Sequence, residues 1–216
     1  SKQWLWQGFQ ERRQANFIAT GFAEFDKHLG GGLPEQGVFD IKTTYGIGEI
    51  RLFMSYLINK SSDRLLVLIS PPATINAEFL LHLGIDLSRV IVISPNDIKH
   101  GLWSAEQCLK SGCCATIMLW QQRLEVSQVR RLNLATENND ASILLLRDNI
   151  QQRFSLPVAL SLQLTPHEQG IEICIDKQRG GHAVANVIVN MYQQWPELSL
   201  TTPNTNVIPF KRAKAS

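Results

Sequence analysis

Five short apolar runs, spaced by segments of helical period, constrain this chain more than any other feature. Val38–Ile41, Leu65–Ile69, Val90–Ile93, Ala115–Trp120 and Ser142–Leu146 are nearly continuous in apolar residues. A strand needs apolar side chains on consecutive positions only when both of its faces are covered, as in a parallel sheet. The intervening segments supply the covers. Residues 48 to 59 are apolar almost all round, and 73 to 83 read as a second helix closed by Gly84. Ile98, Leu102, Ala105 and Leu109 form a helical stripe ended by Gly112, and Val129, Leu132 and Ala135 form another. Strand and helix in alternation predict βαβ units, hence an α/β fold with a mostly parallel sheet flanked by helices.

The period changes after Arg147–Pro157, a polar stretch that reads as a loop. Val158, Leu160, Leu162 and Leu164 alternate with other residues, as do Ile171, Ile173 and Ile175, then Val187 and Val189. Period two over consecutive runs predicts trailing antiparallel strands at the sheet edge. From Gln193 onward Pro196, Pro203 and Pro209 interrupt a stretch without periodicity. The expected organisation is an N-terminal docking segment over 1–19, one α/β domain over 20–192, and a flexible tail over 193–216.

Composition excludes several classes of function. The chain has 216 residues and a net charge of +2, so any nucleic-acid site must be a local cluster and not a global field. No apolar run approaches a membrane span, and the first residues lack the long apolar stretch of a signal peptide, so a cytoplasmic location is expected. Cys108, Cys113, Cys114 and Cys174 form no C-x-x-C pair, and no histidine stands at zinc-ligand spacing from them, so no metal is expected. Cys113 and Cys114 lead into an apolar run and read as small buried hydrophobes.

The segment after the first strand carries the functional information. A phosphate-binding loop needs G-x-x-x-x-G-K-[ST] between a strand and a helix. Its backbone N–H groups cradle phosphates, its lysine reaches the outer phosphates, and its hydroxyl holds Mg²⁺. Here Thr43-Thr44-Tyr45-Gly46-Ile47-Gly48-Glu49-Ile50 fills that place. Gly46 and Gly48 keep the turn, but Glu49 stands at the lysine and Ile50 at the hydroxyl. A carboxylate facing phosphates in a partly buried site costs on the order of several kcal/mol, and Ile50 has no oxygen for a metal. The expectation is a degenerate loop that binds no nucleotide cofactor.

Thr20-Gly21-Phe22 through Asp26, then Leu29-Gly30-Gly31-Gly32-Leu33-Pro34, then Gly37 and the strand, resemble the opening of the RecA core. His82-Leu83-Gly84-Ile85-Asp86 resembles that family's turn before its next strand, and Cys108–Gly112 resembles the helix end before its Walker B strand. The likeness runs from about Thr20 to Trp120 and implies a RecA-like sheet. Carried over residue by residue, the family's activating glutamate falls at Pro72 and its Walker B aspartate at Trp120. With Glu49 and Ile50 these four departures imply no ATPase activity.

Within that superfamily, Leu5-Trp6-Gln7-Gly8, the stretch 46–52, the stretch 102–107 and Lys177-Gln178-Arg179-Gly180-Gly181 resemble the ImuA family. That resemblance implies a non-catalytic SOS-response accessory protein in error-prone translesion DNA synthesis. Its implied partners are an ImuB-type polymerase-like protein and an error-prone DnaE-type polymerase, with RecA a further candidate and DNA contact weak or indirect. The stretch 65–146 also resembles SulA-type inhibitors of cell division, which bind FtsZ; a residual ATPase is the third reading.

Three sets of residues are candidates for partner or DNA contact. Lys177 and Arg179 share one strand face; they point either at an acidic partner or DNA phosphate, or simply at solvent. Trp4, Leu5 and Trp6 precede the predicted core and either dock on a neighbour or fold back. Val207, Ile208 and Phe210, followed by Lys211 and Arg212, form an apolar plug with basic residues behind it. Arg130 and Arg131 read as the solvated face of a helix.

Overall fold

The structure is a computed structural model that describes residues 16–148 and 156–200. A short antiparallel ribbon, β1 (Phe17–Ile18) with β2 (Leu33–Pro34), brackets helix α1 (Ala23–Leu29). Then follow β3 (Gly37–Lys42), α2 (Glu49–Leu52), α3 (Met54–Lys60), β4 (Leu65–Ile69), α4 (Ala77–His82), β5 (Val90–Ile93) and α5 (Ile98–Lys110). The chain continues through β6 (Cys114–Trp120), α6 (Val126–Asn138), β7 (Ser142–Arg147), β8 (Leu160–His167), β9 (Gly170–Gln178) and β10 (Val184–Asn190).

Eight strands form one sheet in the order β10-β9-β8-β3-β7-β6-β4-β5. β3, β7, β6, β4 and β5 are mutually parallel, as their crossover helices require. β8 also joins β3 in parallel, with Phe39 opposite Leu160; the antiparallel pairings begin at β8–β9 and continue at β9–β10. The period-two pattern therefore located the trailing strands, while β8 takes its direction from the parallel strand it joins.

Strand alternation splits the core into two layers. Phe39, Ile41, Met118, Leu144 and Leu146 face the layer covered by α1, α2, α3 and α4. Val38, Ile117, Leu119, Ile143 and Leu145 face the layer covered by α5 and α6. Each fully buried Leu, Ile or Phe contributes about 1.5–3 kcal/mol. Asp40 breaks the apolar run of β3 and is 2% exposed, yet it does not stand alone. Arg147, 3% exposed, donates from Nε to Asp40 Oδ1 at 2.5 Å and from Nη2 to Oδ2 at 2.7 Å, and Ser161 Oγ reaches Oδ2 at 3.4 Å. A buried charge persists only when paired in this way. The polar loop expected from Arg147 thus starts one residue later, because Arg147 closes β7 as the counter-ion of Asp40.

Other departures have local causes. The helix expected over 48–59 is two pieces that meet at Phe53, whose N–H reaches back to Ile50 over a tighter turn at 3.1 Å. The helix expected from Ala73 begins only at Ala77, after the two prolines, where Asn76 Oδ1 accepts from Phe79 N–H at 2.9 Å and caps it. Gly32 permits the β1–β2 ribbon: at φ +132° a Cβ there would strike the Ile18 carbonyl. Gln178 Nε2 donates to Leu29 O at 2.7 Å, and Tyr56 Oη donates to Pro34 O at 3.0 Å, so the ribbon is pinned to the domain. Cys114 is buried but Cys113 is exposed, because only Cys114 has entered β6.

The segment expected to be a tail from residue 193 begins as part of the fold. Trp195 and Leu198 pack on the α1–α4 layer, Gln194 Nε2 donates to Gly21 O at 3.0 Å, and Leu200 N–H donates to Glu168 O at 2.7 Å. Residues 201–216, with Val207, Ile208, Phe210, Lys211 and Arg212, lie outside the described residues, as do Trp4, Leu5 and Trp6. Among the described residues, no helix is long and apolar enough to cross a membrane.

Candidate functional site

The loop from Thr43 to Gly48 leaves the C-terminal end of β3 and opens into α2. This is the mouth of a parallel sheet, where ligands of α/β proteins collect. Gly46 (φ +87°) and Gly48 (φ +97°) adopt left-handed backbone, as a phosphate cradle would require. The cradle is already filled. Gly46 N–H donates to both carboxylate oxygens of Glu49, at 3.2 and 3.1 Å, and Glu49 is 5% exposed. The loop's own carboxylate thus occupies the position an anion would take, and a phosphate would have to displace it.

A second cover lies over the same loop. Leu198 sits against Gly48, where any Cβ would overlap its methyl groups, so both φ and space demand glycine. Arg51, one turn into the structure after the loop, stacks over Phe79 (5.1 Å) and Trp195 (5.0 Å) and pairs with Glu197 at 3.2 Å. Phe79 and Trp195 are themselves tilted together at 5.9 Å. The segment 195–198 is thereby latched across the loop by a cation that contacts two adjoining rings. Phe79, Trp195, Glu197 and Leu198 were not singled out from the sequence. The available signal was a Trp and a Leu at a spacing of three within an otherwise polar, proline-broken stretch.

Tyr45, Gln122 and Asp148 tie the loop to the neighbouring strand ends. Gln122 Nε2 donates to Tyr45 Oη at 2.7 Å, and its Oε1 accepts from Asp148 N–H at 2.9 Å. Burial, then the nearby Asp148 charge, push the Tyr45 hydroxyl up, which keeps it neutral. At the end of β6, Trp120 is 7% exposed, lies in the same apolar cluster as the loop residues Tyr45 and Ile47, and has an indole N–H without a partner among the described residues. An indole offers no lone pair to a metal. Ile50 packs half-buried on that cluster, and Pro72 is exposed beyond β4. The structure brings Gly46, Gly48, Glu49, Ile50 and Trp120 together and leaves Pro72 at the rim.

Lys177 and Arg179 are elsewhere and already engaged. Lys177 Nζ donates to Leu156 O at 3.1 Å, and Arg179 pairs with Glu137 of α6 at 3.0 Å. Among the described residues, no group of three or more His, Cys, Asp and Glu could hold a metal ion. A cavity of about 70 Å³, lined by Leu57, Ser61, Leu66, Ile85 and Arg89, opens at the other end of the strands. It is well below the roughly 300 Å³ at which ligand pockets start.

No protein-family model matches the chain, and no curated protein matches it. Among solved structures, the crystal structure of SulA from Pseudomonas aeruginosa is similar to it at 25% identity, over 51% of this chain and 98% of that one, with a TM-score of 0.43.

Proposed function

We propose that this chain is a non-catalytic accessory protein of the SOS response, which supports error-prone translesion synthesis by binding a polymerase-like partner. The single observation that carries the non-catalytic part is the Glu49 carboxylate on the Gly46 N–H, inside the loop where a nucleotide would sit. Mg²⁺ chemistry on a triphosphate needs a lysine, a hydroxyl and an acid in that place. Glu49 stands where the lysine belongs, Ile50 where the hydroxyl belongs and Trp120 where the acid belongs. The DNA-damage context rests on the sequence strings shared with ImuA-type proteins, from Leu5 to Gly181. A RecA-type core stripped of its nucleotide keeps a rigid sheet on which partners can dock.

The test has two arms. The purified 216-residue chain should retain no ATP and hydrolyse none, with or without single-stranded DNA. Tagged protein recovered from DNA-damaged cells should enrich an ImuB-type or DnaE-type polymerase, or RecA. Recovery of FtsZ in their place would transfer the chain to the SulA-type reading, which rests on the resemblance of the stretch 65–146. ATP turnover lost on Glu49→Ala would overturn the non-catalytic reading.

A further inference from the structure

On the sheet face away from the Glu49 loop's covering segment, α5 and α6 turn outward a surface that the fold itself does not use. On α5, Lys99, Trp103, Gln107 and Lys110 fall on one stripe opposite the buried Gly101, Leu102, Ala105 and Leu109, and Trp103 is 60% exposed. On α6, Arg130 and Leu134 point outward, and Leu134 is also 60% exposed. The two helices are clasped by Glu106 and Arg131 at 2.9 Å, which neutralises that acid. Lys99, Lys110 and Arg130 have no carboxylate partner among the described residues. Large apolar side chains held in water beside unpaired cations have the composition of a hot spot with a basic rim.

We propose that this α5–α6 face binds an acidic amphipathic helix of another protein, with Trp103 and Leu134 as its two apolar anchors and Lys99, Lys110 and Arg130 as its charge partners. This deepens the accessory-protein reading and rests on it. The geometry sets the spacing of the partner's anchors. Both helices cross over between parallel strands, so they run in the same direction. Trp103 lies three residues before Glu106, and Leu134 lies three residues after Arg131. With ~1.5 Å of rise per residue and helix axes ~9 Å apart, the anchors stand roughly 13 Å from each other. Apolar residues seven or eight apart on a partner helix, about 11–12 Å, meet both.

Charge selects the occupant. The chain's own residues outside the described part are cationic: 1–15 carry Lys2, Arg12 and Arg13 against Glu11, and 201–216 carry Lys211, Arg212 and Lys214. They, or those of a second copy, would meet like charge on this face. Nucleic acid is the other anionic class. Leu134 offers no ring for a base to stack on, and the one indole of Trp103 is not the run of aromatic platforms on which successive bases of a single strand stack. An acidic helix can place its carboxylates at the cations and its apolar stripe between them.

The experiment is fluorescence anisotropy on the full 216-residue chain. The probe is a labelled helical peptide of alternating glutamate and alanine with two leucines seven positions apart. Binding should weaken with salt. Trp103→Ser, Leu134→Ser and the pair Lys99→Glu/Lys110→Glu should each weaken it about tenfold or more, with the urea midpoint unchanged because all four side chains are exposed. A peptide with lysine in place of glutamate should not bind. The proposal is overturned by an absence of peptide binding, by equal binding of the lysine peptide, or by indifference to all of the variants. It is equally overturned if oligothymidylate binds this face and loses affinity on Trp103→Ser while the peptide does not. Should one serine variant disturb the fold, the lysine pair still reads the charge contribution. Nucleotide retention and partner recovery are measured without this peptide, so a failure here leaves the accessory role to stand or fall on those arms.

Discussion

Replacing Arg147 with Met, with Asp40 left in place, removes one half of an ion pair in the middle of the sheet. The two side chains are 3% and 2% exposed, and the guanidinium meets the carboxylate through Nε and Nη2. Water cannot enter to solvate the abandoned carboxylate, and Ser161, at 3.4 Å, is a weak substitute donor. A buried pair broken on one side typically costs about 3–5 kcal/mol. For a domain of this size that is a fall in melting temperature of roughly 6–20 °C. Asp40→Val alone should cost a similar amount, since it strands the guanidinium. The double variant Asp40→Val/Arg147→Met should lie within about 1 kcal/mol of the parent or exceed it, because two apolar strand residues of suitable volume need no counter-ion. Urea unfolding of all four proteins, compared as a double-mutant cycle, measures the coupling directly. If Arg147→Met costs less than about 1 kcal/mol, or if the two changes simply add, the pair is not the buried, mutually dependent unit described above.

Four further outcomes are expected. Neither the parent nor Glu49→Ala should hydrolyse ATP, and calorimetric titration should show no nucleotide affinity gained on Glu49→Ala while Leu198 and Trp195 still cover the loop; turnover in either protein contradicts this. Arg64→Ala should destabilise by about 2–3 kcal/mol in urea, because one guanidinium donates to Gly112 O at 3.0 Å, Asn139 O at 2.8 Å and Asp140 O at 3.1 Å, and to Cys114 O as well. Thiol labelling at mildly alkaline pH should modify exposed Cys113 first. Burial pushes the Cys114 thiol up to about 11, so it should react only on global unfolding; its contribution to stability is complete below its ordinary value of 9.0 and is lost as pH rises from there through about 11. Trp195→Ala should release the latch on Arg51 and raise protease cleavage between 192 and 200 at an unchanged sheet, read by limited digestion with mass spectrometry; a cleavage pattern identical to the parent's would show that the latch holds nothing.

The parallel strands were legible because continuous apolar runs have one economical explanation, and all five begin and end within a residue of the structure's bounds. Direction was not legible for β8, since Leu160, Leu162 and Leu164 alternate identically beside a parallel or an antiparallel neighbour. The ribbon Phe17–Ile18 with Leu33–Pro34 is too short to show any period. The loop was legible as a strand, two glycines and a helix, and so was the reversal of charge at Glu49. That this carboxylate turns back onto Gly46 was not, because it depends on a side-chain rotamer. Arg51 with Phe79 and Trp195 is a contact between three separate parts of the chain, and the prolines at 196 and 203 disguised its last member as a tail. Lys177 and Arg179 share a face as the strand period requires, but their engagement with Leu156 and Glu137 is set by the neighbours that folding supplies.

The position of β3 has a consequence for synthesis on the ribosome. Its two partners are β7 and β8, so Phe39 waits for Leu144 on one side and Leu160 on the other. The first of these is 105 residues further along (144 minus 39), which at ~5–20 residues per second is about 5–20 s of translation. Throughout that interval an apolar strand with a lone carboxylate at its centre has both edges open. The helices and strands from Glu49 to Asn138 can form among themselves meanwhile, yet they cannot close the sheet around its middle. Nascent chains halted before Ser142 should therefore bind holdase chaperones or aggregate, whereas chains that have released Gln178 from the exit tunnel should be soluble and protease-resistant. Coupling of the slow step to so late a segment ties the yield of folded protein to completion of the chain.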